Sequence, residues 1–350
     1  MIKTSNLAWL FLLVLFSCAT QNEKSGDPET KVEVPQKKDW SIVLHGGAGY
    51  MTPESMNGER EKAYRAHLDT ALSIGEEVLK NGGNSLDAVE KTINYLEDCP
   101  LFNAGRGAVL TSEGRAEMDA SIMWGKDRNC GAVTGIGKVK NPVSAARKVM
   151  ENSEHVFFSG EGAEYFAESQ KLELRDSSYF VTESKLKSYQ RIKKEKEMEA
   201  AGQTSSLPKS FKFGTVGCVA LDKDGNITAA TSTGGMMWKK HGRIGDSPVI
   251  GAGTYADNRT CGISSTGHGE FFIRAAVAHE ISSRMLHADE TLQQAADAVV
   301  MKELVEMKGD GGVVGVDYLG NAVMTFNTSG MFRGFSDSEG ARGVMIFKNE

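Results

Sequence analysis

A polar, charged stretch in the middle of the chain constrains its fold more than any other feature. Residues 185–212 contain a charged run at 193–197 (KKEKE), then a Gly/Ser-rich stretch and Pro208. These residues lack the regular apolar spacing of a buried element. We predict a flexible linker or frayed helix here, outside any core. Ordered patterning resumes abruptly at Phe213, so this segment divides the chain into two structured parts.

The part before the linker contains both strand-like and helix-like patterns. A short β-rich run at 41–44 ends in the glycine cluster HGGAG at 45–49. Apolar residues at helical spacing predict helices over 59–80, from 84 or 85 to about 96, from 142 to about 150, and over 161–170. Alternating or β-rich runs predict strands at 107–111, 116–123 and 132–139.

The part after the linker opens with a hairpin. Strands are predicted at 215–221 and 227–232, joined by a turn at 222–225. A largely helical stretch follows at 271–307, and later strands are predicted at 312–316, 322–326 and 344–347. Because neither part shows strict βαβ alternation, we predict an α+β fold in which helices cover antiparallel sheets.

The bond between Gly214 and Thr215 lies where the linker ends and this hairpin begins. A threonine hydroxyl inside a chain is a weak nucleophile without a base beside it. At a new N-terminus, its own α-amine (pKa of about 7.7–8.0) can take the hydroxyl proton. A glycine before the bond tolerates a strained carbonyl geometry. The boundary therefore suggests an N-terminal nucleophile, although an ordinary strand start has the same local sequence.

The hairpin brings a second hydroxyl near the first. A turn centred between residues 223 and 224 places Thr215 opposite Ser232 or Thr233, at about 4.5–5.5 Å between paired side chains. A slip of one residue turns a side chain to the other face of the sheet. The hairpin pattern alone therefore leaves both residues open.

Two later segments carry groups that suit a small zwitterionic ligand. In GRIGDSP at 242–248, Arg243 can bind a carboxylate and Asp246 an ammonium group. In TGHGE at 266–270, a hydroxyl and backbone N–H groups precede a long helix and can form an oxyanion hole. The alternative for Arg243 and Asp246 is an ordinary surface ion pair, and the alternative for residues 266–270 is a helix-capping loop.

Other classes of site find little support in the sequence. It has no GxSxG elbow, no GxxxxGK[ST] loop and no HExxH motif. A formal net charge of −6 does not favour nucleic acid. The seven histidines and five cysteines lack metal-ligand spacing. The four cysteines other than Cys18 could form disulfides in an exported protein or be buried thiols, and we favour thiols. His45 and His268, within glycine clusters, are candidates to line a site.

The N-terminus has the pattern of an exported lipoprotein. Lys3 precedes an apolar run at 7–16 that is short for a bilayer span and typical of a signal peptide. LFSC at 15–18 resembles a bacterial lipobox, with Phe16 as an unusual residue. We expect a signal peptide at 1–17, lipidation of Cys18 and a polar tether over 18–39. A plain secretory signal is the alternative.

Several segments together resemble the plant-type L-asparaginases, also called isoaspartyl aminopeptidases. The resemblance covers almost all of the chain between residues 41 and 347. Its motifs occur in family order: HGGAG at 45–49, NAGRGAVLT at 103–111, MDASIM at 118–123, GTVGCVALD at 214–222, TSTGG at 231–235, GRIGDSP at 242–248 and TGHGE at 266–270.

The resemblance implies a four-layer αββα N-terminal nucleophile hydrolase fold, with two antiparallel sheets sandwiched between helices. It implies cleavage between Gly214 and Thr215 into an α-chain (40–214) and a β-chain (215–350) of one domain. The family's catalytic residues map onto Thr215 as the nucleophile, Thr233 as the second threonine, and Asn103 as an asparagine near the catalytic centre. The oxyanion hole maps onto Thr266 and the N–H of Gly267. The substrate-binding residues map onto Arg243, Asp246, Gly267 and Gly269.

The family also implies a structural sodium ion, no catalytic cofactor and an (αβ)₂ dimer. The sodium loop maps to residues 96–106. Its expected ligands are the backbone oxygens of Leu96, Glu97, Cys99, Phe102, Ala104 and Arg106. Trp124 stands where many relatives have aspartate or another small polar residue. The lipoprotein-like leader is not typical of the cytoplasmic members.

The function implied by the resemblance is hydrolysis of the β-amide of L-asparagine or of β-aspartyl dipeptides. Glycosylasparaginase, which acts on GlcNAc-asparagine, is the alternative. Those enzymes usually carry Asp-Thr at the cleavage point and lack HGGAG, whereas this chain has Gly214-Thr215. A surface binding lipoprotein on an inactive hydrolase scaffold is a remote alternative, since every catalytic residue is present. The expected location is the bacterial periplasm or cell envelope.

Overall fold

The computed structural model describes residues 36–202 and 214–350. The predicted signal peptide, Cys18 and most of the tether lie outside these residues. The described strands are β1 Ser41–Gly49, β2 Met118–Trp124, β3 Asn129–Ile136, β4 Phe157–Ser159, β5 Val216–Leu221, β6 Ile227–Thr233, β7 Thr254–Ala256, β8 Cys261–Gly267, β9 Gly311–Asp317, β10 Ala322–Phe326, β11 Gly330–Asp337 and β12 Arg342–Phe347.

The helices lie in two groups along the chain. Those before the linker are α1 Gly58–Lys80, α2 Ser85–Asp98, α3 Pro142–Asn152, α4 Gly160–Ser169 and α5 Glu183–Ala200. Those after it are α6 Gly269–Ala275, α7 Val277–Ala288, α8 Leu292–Ala296 and α9 Leu304–Glu306, the last two joined by a π-helical segment over Asp297–Glu303. None of these helices is long and apolar enough to cross a membrane.

Two sheets pack face to face between the two groups of helices. An eight-stranded sheet has the order β12-β11-β1-β5-β6-β2-β3-β4, and a four-stranded sheet has the order β10-β9-β8-β7. Helices α1, α2 and α3 cover the larger sheet, while α7, α8 and the π-helical segment cover the smaller one. Strands β1, β5 and β6 contact β8 and β9 across the interior. The predicted four-layer αββα architecture is therefore confirmed.

The sheets are antiparallel except at one edge of the larger sheet. Strand β4 pairs in parallel with β3, with Ala132 opposite Phe157. Helix α3 lies between these strands in the chain and returns the backbone to the same direction, as a parallel pairing requires. The expectation of wholly antiparallel sheets is corrected at this one pair.

One predicted strand and one predicted helical stretch differ in detail from the structure. Residues 107–111 are not a strand: they form one isolated bridge, Leu110 with Ala116, because Asn103 Oδ1 accepts the N–H of Val109. The predicted helical stretch 271–307 begins at Gly269 and is broken at Ala276 and Asp289, both in the left-handed region (φ 47° and 53°).

Part of the predicted linker is an ordered helix. Within the predicted segment 185–212, α5 extends to Ala200 and has no buried residue. Residues 203–213 lie outside the described part of the chain. The prediction that this segment is outside the core agrees with the exposure of α5.

Candidate active site

The nucleophile candidate and its neighbouring threonine lie at the ends of two paired strands. Val216 on β5 pairs with Ser232 on β6, so the next pair outward is Thr215 with Thr233. Thr215 Oγ1 donates a hydrogen bond to Thr233 Oγ1 at 3.1 Å. The Ser232 hydroxyl instead donates to Glu97 Oε1 at 2.6 Å. The structure therefore selects Thr233, which the hairpin pattern alone left open.

Strand β1 holds the Gly214–Thr215 bond from the other side. His45 Nδ1 donates to the carbonyl oxygen of Thr215 at 3.0 Å. Gly47 has a φ of +111°, and a Cβ there would lie 2.7 Å from Gly214 Cα. Glycine at this position permits both the backbone conformation and the close approach.

His45 is a neutral residue in this site. Its side chain is fully buried, and burial lowers its pKa to about 3. Since the carbonyl of Thr215 can only accept, Nδ1 carries the proton. His45 therefore orients the main chain of Thr215 and is unsuited to act as its base.

Asn103 fixes the turn that follows Thr233. Its main-chain oxygen accepts the N–H of Gly234 at 3.0 Å, and its Nδ2 donates to the oxygen of Gly235 at 2.8 Å. The N–H of Gly235 in turn donates to Thr233 Oγ1 at 2.9 Å. The Thr233 oxygen thus accepts from both this N–H and the Thr215 hydroxyl, which fixes its position beside the nucleophile.

Arg243 and Asp246 are close to each other but do not form an ion pair in the described structure. Arg243 donates from Nε and Nη2 to both oxygens of Glu270, each at 2.9 Å. This contact holds the pKa of the Glu270 carboxyl below its usual range. Sequence reasoning assigned Glu270 no role, although it belongs to the TGHGE motif, because its partner lies 27 residues earlier in the chain.

Asp246 is a buried carboxylate that lacks a partner on one oxygen. The residue is 5% exposed, and its Oδ2 has no hydrogen bond within the described protein. Burial raises the pKa of this carboxyl to about 7. A Cβ on Gly269 would lie 2.7 Å from Asp246 Oδ1 and 3.1 Å from Arg243 Nη2. Glycine at 269 therefore leaves the space in which both charged groups approach the cavity.

The oxyanion-hole candidates come from the end of β8. Thr266 is fully buried, and its Oγ1 accepts the N–H of Ala48 at 3.3 Å. Because that oxygen accepts, its own O–H remains available to donate to another group. Gly267 follows directly and lines the same cavity as Thr215.

A single narrow cavity collects most of these groups. The cavity wall contains five of the predicted catalytic and substrate residues: Thr215, Thr233, Arg243, Asp246 and Gly267. The other three, Asn103, Thr266 and Gly269, contact wall residues or lie beside them in the chain. The lining residues are Gly214, Thr215, Thr233, Gly235, Met236, Arg243, Gly245, Asp246, Ser247 and Gly267. The arrangement combines a paired nucleophilic hydroxyl with one cationic and one anionic group, which suits a small zwitterion with an electrophilic carbonyl.

The predicted sodium loop presents backbone carbonyl groups at two glycines. A Cβ on Gly105 (φ +49°) would lie 2.3 Å from the oxygen of Glu97, and one on Gly107 would lie 2.0 Å from the oxygen of Phe102. No group of three or more His, Cys, Asp or Glu side chains within residues 36–202 and 214–350 has metal-site geometry. Carbonyl oxygens suit a hard cation such as sodium, and the structural sodium ion stays a prediction for this loop.

The remaining residues singled out in the sequence have structural surroundings. The four cysteines in the described residues are thiols. Trp124 ends β2, packs against the core and lies under Lys126. Nothing in the structure gives Trp124 a role in the site. His268 lies beside Glu270, with Nε2 3.3 Å from its carboxylate.

Comparison with known proteins assigns the chain to a family. A family model described as "Asparaginase" matches residues 38–346. The "Isoaspartyl peptidase" of Escherichia coli (strain K12) is 43% identical over 311 residues, covering 88% of this chain and 97% of the relative. The "Isoaspartyl peptidase/L-asparaginase" of Mus musculus is 40% identical over 292 residues, covering 83% and 86%. That of Xenopus laevis is 40% identical over 290 residues, covering 83% and 90%. The chain therefore belongs to the plant-type L-asparaginase and isoaspartyl aminopeptidase family that its motifs resemble.

Proposed function

We propose that this chain is an amidohydrolase that cuts itself before Thr215 and then hydrolyses the β-amide of L-asparagine and of β-aspartyl dipeptides. One observation carries the proposal: the hydroxyl pair of Thr215 and Thr233 lies in one cavity with Arg243 and the unpartnered carboxylate of Asp246. The names of the curated relatives agree with this activity.

Self-cleavage begins from the uncut chain. The Thr215 hydroxyl attacks the carbonyl carbon of Gly214, and the bond from that carbon to the Thr215 nitrogen breaks. The nitrogen takes a proton and becomes an amine, while Gly214 becomes an ester of the hydroxyl. Water hydrolyses the ester and leaves a free Gly214 carboxylate. Thr233, 3.1 Å from the attacking oxygen, and Gly47, packed against Gly214, support this geometry.

The new α-amine of Thr215 then serves as the base for its own hydroxyl. The hydroxyl attacks the β-carbonyl of the substrate, and the Thr266 hydroxyl and Gly267 N–H stabilise the oxyanion. Ammonia or the amine of the dipeptide leaves with a proton. Water hydrolyses the aspartyl ester on Thr215, releasing aspartate and restoring the amine.

The anchoring residues determine which amide reaches Thr215. Arg243 pairs with the α-carboxylate of the aspartyl unit and Asp246 with its α-ammonium group. When both α-groups are held, the β-carbonyl is the group that extends towards the nucleophile. Asparagine and β-aspartyl dipeptides therefore fit. In α-aspartyl dipeptides the α-carboxyl group forms the peptide bond, so the free α-carboxylate that Arg243 would bind is missing.

We further propose a structural sodium ion, a lipid anchor and a dimer for this chain. Backbone oxygens of Leu96, Glu97, Cys99, Phe102, Ala104 and Arg106 would hold a structural sodium ion, which supplies no step of the reaction. Lipid on Cys18 would anchor an exported protein in the cell envelope, and two αβ units would form an (αβ)₂ dimer. Removing Cys18 should release the protein from the membrane fraction, and light scattering reports the dimer.

One experiment separates this function from its alternatives. The purified protein is incubated with asparagine, β-aspartyl-leucine and GlcNAc-asparagine, with the Thr215→Ala variant as control. Release of ammonia and leucine by the wild type alone supports the proposal. Turnover of GlcNAc-asparagine alone would instead indicate a glycosylasparaginase, and no turnover of any substrate would indicate a binding protein.

A further inference from the structure

A chain of buried hydroxyl groups crosses between the two sheets. Ser264 on β8 lies 2.7 Å from Thr231 on β6, measured between the hydroxyl oxygens. Thr254 on β7 donates to the Thr231 oxygen at 2.6 Å, and Ser121 on β2 reaches the Thr254 oxygen at 2.8 Å. All four side chains are fully buried. We call these four residues the hydroxyl relay.

Both ends of the relay reach the wall of the active-site cavity. At one end, Ser264 Oγ lies 3.0 Å from His45 Nε2, and the opposite nitrogen of this ring donates to the Thr215 carbonyl at 3.0 Å. At the other end, Ser121 donates to the carbonyl oxygen of Ser247 at 2.6 Å. Thr215 and Ser247 both line the cavity.

The hydrogen bonds near His45 have only one consistent direction. The Thr215 carbonyl accepts, so His45 Nδ1 carries the ring proton and Nε2 must accept. Ser264 therefore donates its only proton to His45. The Thr231 hydroxyl can donate its proton to the Ser264 oxygen or to the Gly253 carbonyl, which is 2.9 Å away. The Thr231 oxygen accepts a hydrogen bond from Thr254. The relay thus stabilises the one tautomer of His45 that can hold Thr215.

The surrounding backbone leaves room for this contact. Gly217 pairs with His45 across β5 and β1. A Cβ on Gly217 would lie 1.9 Å from Ser264 Oγ and 2.3 Å from His45 Nε2. The hydrogen bond between these side chains therefore occupies the space of a side chain at 217. Apolar residues could fill an intersheet core without burying polar groups, so the core itself does not require these hydroxyls.

We propose that His45 and the hydroxyl relay are positioning groups for the nucleophile. They hold the Thr215 main chain so that its hydroxyl faces the Gly214 carbonyl before cleavage and the substrate carbonyl afterwards. They touch neither reacting atom. The substrate readout of this inference rests on the proposed function, whereas the self-cleavage readout needs no substrate.

The first test compares two neighbouring serines. Ser264→Ala removes the donor to His45, while Ser265→Ala removes an equally buried hydroxyl that bonds only to the Ala252 carbonyl at 3.1 Å. Ser264→Ala should lower kcat and the self-cleavage rate about tenfold, since an unsatisfied buried acceptor has an effect of this order. Its KM should stay within about twofold, because the proposed substrate-anchoring residues Arg243 and Asp246 are unchanged. The hydrogen bond from Ser121 to Ser247, beside Asp246, is also intact.

The second test uses a partial replacement of the histidine. In His45→Asn, the side-chain Nδ2 can take the place of Nδ1 and still donate to the Thr215 carbonyl, whereas His45→Ala leaves that carbonyl without its donor. The asparagine variant should self-cleave about tenfold faster than the alanine variant. Thermal unfolding of each variant reports how much folded protein is present.

Three results would overturn the inference. They are a Ser264→Ala variant within twofold of Ser265→Ala in both rates, equal self-cleavage of the two His45 variants, or losses that match the loss of folded protein. If a variant at 45 does not fold, the serine comparison decides alone. Wild type and Ser265→Ala that self-cleave but turn over neither asparagine nor β-aspartyl-leucine would refute the proposed function and leave this inference standing.

Discussion

Replacing Asp246 by asparagine should stabilise the uncut protein while it abolishes substrate binding. The carboxylate is buried, its Oδ2 lacks a partner, and Arg243, the cation that lowers its pKa, is engaged with Glu270. An ionised group in this position is unfavourable until a substrate ammonium group arrives. The neutral amide removes that unfavourable charge and also removes the group that pairs with the substrate.

The magnitude follows from the pKa of the Asp246 carboxyl, which burial raises from 3.8 to about 7. Below pH 4 the carboxyl is protonated in both folded and unfolded states, so its charge has no effect on stability. Between pH 4 and 7 the unfolded state ionises first, and folding loses up to about 1.36 kcal/mol per pH unit. The loss is complete above pH 7. Between pH 5 and pH 8, the stability of Asp246→Asn relative to its parent should rise by roughly 2–3 kcal/mol.

The assay is urea unfolding at pH 5 and pH 8 in a Thr215→Ala background, which keeps the chain uncut. Asp224→Asn, on the exposed hairpin turn, is the matched control and should show no such change. L-Aspartate should raise the stability of the parent at pH 8 and leave Asp246→Asn unchanged. A stability difference that is the same at both pH values, or that falls as pH rises, would show that the buried Asp246 carboxylate does not destabilise the folded protein.

Other changes give equally direct predictions. Gly47→Ala should slow self-cleavage by tenfold or more, followed on a denaturing gel, because its Cβ would lie 2.7 Å from Gly214 Cα at a φ of +111°. Arg243→Ala should lower kcat/KM for asparagine by two to four decades, from a loss of about 3–5 kcal/mol, with self-cleavage unaffected; a loss below threefold would contradict its anchoring role. N-acetyl-asparagine should be a poor substrate of the wild type, and ammonia release equal to that from asparagine would contradict the role of Asp246.

Local sequence patterns predicted which residues belong to the site better than they predicted which residues contact one another. The hairpin turn alone placed Thr215 opposite residue 232 or 233, because strand register follows from turn geometry within one residue. The choice of Thr233 needed either the family motifs or the pairing of Val216 with Ser232. The partner of Arg243 was missed because Glu270 lies in a distant segment of the chain.

The missed and misassigned strands have a similar cause. Strand β11 (Gly330–Asp337) contains glycine and polar residues, and it is held by pairing with β1 from the other end of the chain. Its formation depends on distant partners, which a local pattern does not report. Residues 107–111 show the reverse case: their β-rich sequence is overridden by the side chain of Asn103, which takes the N–H of Val109.

The N-terminal sequence and mass of the purified wild-type protein, measured beside Thr215→Ala, decide whether Thr215 is an N-terminal nucleophile. We expect two fragments for the wild type, with the smaller beginning Thr-Val-Gly-Cys at Thr215. We expect a single uncut chain without hydrolase activity for the variant. A wild-type protein that hydrolyses asparagine or β-aspartyl-leucine as one uncut chain, or a cut at any other bond in the active protein, would contradict the assignment of Thr215 as an N-terminal nucleophile.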